Sequence, residues 1–515
     1  MLRKINWTKV FISILLFVFV LFLSYVYSVV RDDFDMDLIW HLKIGEDILK
    51  TKTIFLENTY SWIKGTVWTQ QEWLFDVLLY LVVSVGGLFG FGFIHFTTGF
   101  TYIYHSIYKK EMRFKILMLC IVLLMYIFGA FNRLNRPAEY SALFFPLMLW
   151  LYSKQYCWKP ILYFIVGLFL SNFHCGAIVA LSVLMVLVFV SDIIMTKLYE
   201  YFDSNYCDKL SKGFTVQYVM SILLFFIGTC VNPYGIKQIA NMFCVSSLKS
   251  TERIMEWAPL SSSHYMTWII LFFIAYSFGF ALKKHIKNRE DVRNIIVLSA
   301  FLVLSCVSGK GFIMFFYLFL AFGLKYADEM IYDIGLQIGF TKEWFQKKLE
   351  CDFENLQPKT KSFPLILLLS AIVFASISFT SDMTMDEFIE TSQNEYIDSD
   401  TITYLQESLP SDAKLLHGYV TGNYLLYHDI PVFIDARQQP YCTEFGWTTA
   451  LDDYFNTKPY NIAQMNVLFD KYDFDYVLAN KDFPADWYLS ENEDDWRVVF
   501  TNDEQTIRVW ERIRY

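Results

Sequence analysis

Two aspartates and a histidine crowd into D-M-D-L-I-W-H, from Asp35 to His41, and Glu72 follows in W-T-Q-Q-E-W-L. Carboxylates and an imidazole at this density can take a proton from a nucleophile or hold a cation. On a helix, Asp37 and His41 share a face, while Leu38, Leu42 and Leu49 form an apolar stripe able to lie on lipid headgroups. The plainer reading is that Asp35 or Asp37 caps the helix and that Trp40, Trp62, Trp68 and Trp73 make an interfacial belt.

Other reactive groups come later in the chain. N-R-L-N-R-P offers Arg133 and Arg136, whose guanidinium groups suit bidentate contact with a phosphate or simple snorkelling to lipid phosphates. Lys310 sits in the turn S-G-K-G. His174 lies in N-F-H-C-G, where a hydrogen-bonding role competes with a ligand role. Tyr234 belongs to N-P-Y-G, whose Pro and Gly stop a helix, and Glu256 follows in E-W-A-P.

Membrane-spanning helices must position these residues. Of 515 residues, 55% are hydrophobic, 19% aromatic and only 18% charged, which excludes an ordinary soluble chain. Apolar runs are read as spans at 10–30, 89–108, 116–131, 139–153, 160–172, 175–193, 214–231, 265–282, 293–308, 311–326 and 363–381, eleven in all. Lys/Arg clusters such as Lys109, Lys110, Arg113 and Lys115, or Lys283, Lys284, Lys287 and Arg289, fall on one side throughout. The positive-inside rule therefore puts the N-terminus and the loop 327–362 in the cytoplasm. The loop 31–88 falls outside with two interfacial helices, the second from Glu72 to Val85. The nine cysteines show no paired spacing, so neither disulfides nor a zinc site are expected.

Residues 1–381 thus form a polytopic α-helical membrane domain, and 382–515 an acidic extracytoplasmic α/β domain. From Ser381 onward there are nine Lys/Arg against twenty-six Asp/Glu, a net charge of about −17, which excludes nucleic acid as a partner. Strands are expected at Lys414–Tyr419, Pro431–Asp435 and Tyr476–Ala479, with a closing pair at 496–501 and 506–511, in a partly parallel sheet. Asp435 and Arg437 read as an internal ion pair, or as a pair facing a ligand at a strand's carboxyl end. No G-x-G-x-x-G, Walker loop or G-x-S-x-G supports nucleotide or hydrolase chemistry.

The first loop's D-M-D-L-I-W-H-L-K-I-G-E-D-I-L, Y-S-W and E-W-L, with N-R-P, N-F-H-C-G, N-P-Y-G, E-W-A-P and V-F-I-D-A-R-Q-Q-P-Y, resemble a family of bacterial polytopic membrane proteins. That family looks like a branch of the GT-C membrane glycosyltransferases, relatives of the protein mannosyltransferases and lipid A aminoarabinose transferases. The resemblance spans nearly the whole chain. It implies a donor made of a sugar on a polyprenyl phosphate, used at the outer face of a bacterial cytoplasmic membrane. A glycan, lipid or protein would be the acceptor, and a first-loop Asp the base. Such enzymes commonly carry D-E-x-x-Y at this place. Here Leu38 replaces the adjacent Glu and His41 takes the partner position, which leaves the base open between Asp35 and Asp37, with Glu72 next.

On this resemblance Asp35 would otherwise hold a divalent metal or sugar hydroxyls, and no other cofactor is implied. Arg133, Arg136 and Lys310 would bind the donor phosphate, and Trp40, His174, Tyr234 and Glu256 the substrates. One arginine 4 Å from a leaving phosphate is worth about 4 kcal/mol at an effective dielectric of 20. A non-catalytic scaffold or assembly factor for envelope polysaccharide is the alternative. A transporter fits less well, because the expected spans are nearly free of ionisable groups away from their ends.

Overall fold

A computed structural model describes residues 37–54, 57–66, 68–85, 136–202, 211–246, 265–286, 288–339, 396–443, 448–458 and 460–514, with a few isolated positions between them. The expected spans 10–30, 89–108 and 363–381 and most of 116–131 lie outside the described residues, as do Asp35, Arg133 and Glu256. Contacts divide the chain into two units. Met1–Arg31, Leu88–Asn232 and Glu252–Thr380 form one; Asp32–Gly87, Pro233–Thr251 and Ser381–Tyr515 form the other.

The first unit is helical. Gly176–Leu198, Lys212–Thr229, Tyr265–His285 and Gly309–Gln337 are each long and apolar enough to cross a membrane, and Lys159–Phe173 is apolar but shorter. Ile161, Val183, Val186, Leu223 and Phe272 point outward from these helices, a surface that a bilayer would cover without penalty. The stretch 139–153 is interrupted: two helices, Pro137–Ala142 and Phe144–Ser153, meet at Leu143. Pro146 has no N–H for the carbonyl of Ala142, and its ring crowds that carbonyl, so the helix cannot run straight through.

Where helices cross closely, small residues permit it. A Cβ at Gly167 would lie 2.3 Å from the Phe225 carbonyl oxygen, and one at Gly228 would lie 2.3 Å from that of Phe164. This reciprocal pair brings Lys159–Phe173 and Lys212–Thr229 into backbone contact, the usual device where lipid offers no hydrophobic drive for association. Several described charged groups of this unit are paired. Asp291 takes Lys325 and the Tyr326 hydroxyl (2.8 Å), His285 meets Glu329 at 2.7 Å, and Asp192 takes the Tyr152 hydroxyl at 2.9 Å and Arg293 at 3.3 Å.

In the second unit, β1 (Leu415–Leu416), β2 (Tyr476–Ala479), β3 (Trp496–Thr501) and β4 (Arg508–Arg512) form a sheet in the order β1-β2-β4-β3. β1 and β2 are parallel and the other pairings antiparallel, so the sheet is mixed. Helices Ser399–Ser408, Thr421–Tyr427 and Ile462–Tyr472 accompany the sheet. Pro431–Asp435 is not a strand of this sheet. Its backbone is satisfied elsewhere: Val432 N–H donates to the Tyr60 carbonyl (2.9 Å), Trp62 N–H donates to the Val432 carbonyl (3.2 Å), and Phe433 N–H donates to His417 Nε2 (2.8 Å). The partner of this segment is thus the first loop, 371 residues away in sequence at Ser61 and Val432, and local pattern cannot reveal it.

Trp62 completes the join. Its ring stacks on Phe433 at 5.5 Å and meets Phe474 edge-on, and its indole N–H donates to the Leu415 carbonyl at 3.1 Å. First-loop residues therefore belong to the hydrophobic core of the C-terminal sheet. Beneath them His417 accepts from Phe433 through Nε2 and donates through Nδ1 to the Gly418 carbonyl at 2.8 Å, so the ring is held neutral. Burial pushes its pKa down to about 4. The unfolded chain takes up that proton first, so this contribution is intact above the ordinary histidine pKa and is lost as pH falls from there towards 4. The stability gap between wild type and His417→Gln should narrow by up to about 3 kcal/mol between neutral pH and pH 4, measured by denaturant unfolding of both proteins.

Candidate functional site

The helix Asp37–Thr51 begins with an acid in its first turn, where the helix dipole favours a negative charge. Its apolar face is covered by protein. Leu38, Trp40, Leu42, Ile44 and Ile48 are all buried, so the expectation that Leu38 and Leu42 lie on lipid is corrected; of that stripe only Leu49 is exposed. The helices Thr421–Tyr427 and Trp73–Val85 both pack on it, and a glycine decides how near the second comes. A Cβ on Gly45 would lie 2.1 Å from the Asp76 carbonyl oxygen and 2.9 Å from the Tyr80 Cβ.

That approach places Asp76 against His41. Nδ1 of His41 lies 2.5 Å from Oδ1 of Asp76, with both side chains buried, and Nε2 lies 3.9 Å from Oε2 of the half-buried Glu72. The imidazole is clamped by Trp40, stacked on it at 3.6 Å, and by Phe75, edge-on at 5.0 Å. The second oxygen of Asp76 accepts from the Gln70 amide at 3.4 Å, and the Gln70 backbone N–H donates to the Tyr234 hydroxyl at 2.9 Å. Burial raises Asp76 well above the usual carboxylate range, with the Gln70 hydrogen bond pulling the other way. Burial likewise pushes the Tyr234 phenol up to about 12, so it stays protonated at neutral pH.

The C-terminal segment supports the same cluster from below. The Arg437 guanidinium lies between the rings of Tyr60 (4.9 Å) and Trp68 (4.8 Å), and Trp68 meets Trp40 edge-on at 6.4 Å. Asp435 holds the guanidinium through Nε at 2.8 Å and Nη2 at 2.5 Å, and the Tyr441 hydroxyl donates to the same carboxylate at 2.6 Å while accepting from Asn58 at 3.3 Å. Burial works against the charge on Arg437, but Asp435 outweighs it and lifts the pKa above its ordinary value. Asp435 and Arg437 are thus an internal ion pair, and their reach is into the first loop.

Of the residues singled out in the sequence, Trp40, His41 and Glu72 meet directly, and Tyr234 joins through Gln70. Asp37 stands one helical turn before His41. Arg136, His174 and Lys310 belong to the helical unit: Arg136 at the N-cap of Pro137–Ala142, Lys310 in the first turn of Gly309–Gln337, and His174 with Nδ1 2.7 Å from the Ser141 hydroxyl. Among the described residues, no three His, Cys, Asp or Glu side chains converge to hold a metal ion. Sequence reasoning missed Asp76, Gln70 and the Arg437 clamp. For Asp76 a signal was present, an acid one turn after Glu72 inside an apolar helix, where a charge needs a reason. One carboxyl on each edge of an imidazole is an arrangement suited to moving protons.

No protein-family model matches the sequence, and no curated protein matches it. Two solved structures of the Archaeoglobus fulgidus oligosaccharyltransferase are similar to this chain. The form tethered with an acceptor peptide containing the NVT sequon via a disulfide bond has a TM-score of 0.50 at 12% identity, over 99% of this chain and 75% of that one. The apo form has a TM-score of 0.46 at 11% identity, over 90% and 69%. The chain accordingly has a GT-C-like fold.

Gly45 provides a direct check on how the cluster is built. Gly45→Ala should push the Trp73–Val85 helix away and cost about 1–3 kcal/mol, the range for overpacking a tight contact. Denaturant unfolding of the purified protein measures it, and an unchanged midpoint would mean that the two helices are not in this contact.

Proposed function

We propose that this protein is a membrane glycosyltransferase that moves a sugar from a polyprenyl-phosphate donor to an extracytoplasmic acceptor. The observation that carries the reading is the gathering of first-loop acids around His41, in a chain whose fold is GT-C-like. In this reading the N-terminus is cytoplasmic, and the first loop and the C-terminal segment face outward, where a lipid-linked donor presents its phosphate at headgroup level. The acceptor is a glycan, a lipid or a protein; the archaeal enzyme's structure carries an acceptor peptide.

Asp37 takes the proton of the acceptor hydroxyl or amide. The acceptor atom bonds to the anomeric carbon, the bond from that carbon to the phosphate oxygen breaks, and the lipid phosphate leaves with the electron pair. Positive charge developing on the sugar favours carboxylates beside it, a role open to Glu72 and Asp35. Arg133, Arg136 and Lys310 are the cations assigned to the leaving phosphate.

The reading is tested by comparing lipid-linked sugars and surface glycans of cells with and without the protein. A glycan that disappears with the protein, while its lipid-linked donor accumulates, is the expected result. Asp37→Asn keeps shape but removes the basic oxygen, and at equal expression it should lower the product by roughly 10² or more. An unchanged product would pass the role to Asp35 or Glu72. Sidedness has its own test: a cysteine engineered at Asn456 should react with an impermeant reagent in intact cells, and protection there would overturn the outward placement.

A further inference from the structure

Among the described acids of the cluster, Asp76 is the one whose side chain is wholly buried, and the transfer proposed above gives it no part. A carboxyl in such a place costs several kcal/mol unless it is paired, so its presence calls for a reason beyond packing. Three contacts describe what it does. It sits at hydrogen-bond distance from His41 Nδ1, it accepts from Gln70, and Gln70 is tied through its backbone N–H to Tyr234. The first fixes one edge of the imidazole, the other two hold the carboxyl that fixes it, and the opposite edge, Nε2, lies 3.9 Å from Glu72.

We propose that Asp76 is a positioning residue for the transfer reaction: it accepts the Nδ1 proton of His41, and so confines proton exchange on that ring to Nε2, the edge beside Glu72. The inference rests on the glycosyl-transfer reading for its chemistry, but not for its geometry. Burial by itself favours the neutral acid at Asp76, and the 2.5 Å contact with Nδ1 is what offsets it, so that the shared proton rests on the ring. Among the described residues, the titratable groups that meet the ring are Asp76 at Nδ1 and Glu72 at 3.9 Å from Nε2, and Asp37 stands one turn earlier on the ring's own helix. When a carboxylate of this set takes the proton of the acceptor, that proton can pass to Nε2, and the resulting imidazolium is balanced by Asp76 at one edge and Glu72 at the other. The carboxylate is then restored as a base, while the electron pair has left with the lipid phosphate. Trp40 and Phe75 hold the ring plane fixed during the exchange, so no rotation is needed.

A replacement of the same shape separates positioning from packing. Asp76→Asn fills the same space under Gly45, but its amide N–H now donates to Nδ1, which reverses the tautomer. Histidine-selective nitrogen NMR of the full chain in nanodiscs reads this directly, with the His41 signal identified by its absence from His41→Gln. The wild type should carry a proton on Nδ1, and Asp76→Asn should lose it. At equal expression, the Asp76→Asn glycan product should fall by roughly 10²-fold, like loss of a base.

A bare Nδ1 in the wild type overturns the proposal, and this measurement needs no variant that might misfold. So does a reversed tautomer with an undiminished product, provided Asp37→Asn abolishes the same product. If neither Asp37→Asn nor deletion of the whole protein alters any glycan, the glycosyltransferase reading fails. The Nδ1 assignment is then judged by NMR alone.

Discussion

A carboxyl group that has no water must have partners, and the burial of Asp76 imposes that demand on everything around it. Its oxygens require His41 on one side and Gln70 on the other. Gln70 is anchored by Tyr234, which belongs to the N-P-Y-G turn far along the chain. The approach itself exists only because residue 45 has no side chain. An imidazole held at Nδ1, stacked by Trp40 and edged by Phe75, has lost the freedom that an exposed histidine would keep. Rigidity at this point is what the proposed proton-handling role of the ring calls for, because orientation is among the larger contributions a protein makes to a reaction.

The second constraint is the tail's hold on the first loop. Arg437 is fully occupied on one side by Asp435 and Tyr441, and it spends its two faces on Tyr60 and Trp68. Trp68 leans on Trp40, which stacks on His41, so a chain of ring contacts runs from the buried ion pair to the imidazole. Cation–π contacts of a desolvated guanidinium are worth roughly 2 kcal/mol each, enough to order a loop that has little regular structure of its own. Trp62 and the exchange of backbone hydrogen bonds between Tyr60, Trp62 and Val432 make the same join by other means. Loop and tail are therefore one folding unit, and removing the tail would remove the floor of the candidate site.

The helical unit solves a different problem. Lipid offers no hydrophobic gain for helix association, so close crossings depend on Gly167 and Gly228, and the ionisable groups must answer one another, as Asp192 does Arg293 and Asp291 does Lys325. The outward side chains remain apolar. This unit supplies helices of membrane length, while the acids and the histidine of the candidate site belong to the other unit, on two short helices and the turn before the second.

The amino-acid sequence alone determined that the chain is a helical membrane protein with a mixed sheet near its end, because apolar runs, charge bias and strand periodicity are local properties read from neighbours. It also marked Asp37, His41 and Glu72, since acids and a histidine in a tryptophan-rich loop are conspicuous wherever they fold. Contacts set by packing are another matter. Asp76 acquires meaning only when Gly45 lets one helix lie against another, and Arg437 only when a segment near residue 435 meets a loop near residue 60. Pro431–Asp435 shows the limit most plainly. Its apolar run reads as a strand, but its hydrogen-bond partners are the first loop and His417, so tertiary structure alone decided what that segment would be. The reason is physical: periodicity says which side of a segment is buried, whereas the identity of what buries it depends on residues hundreds of positions away.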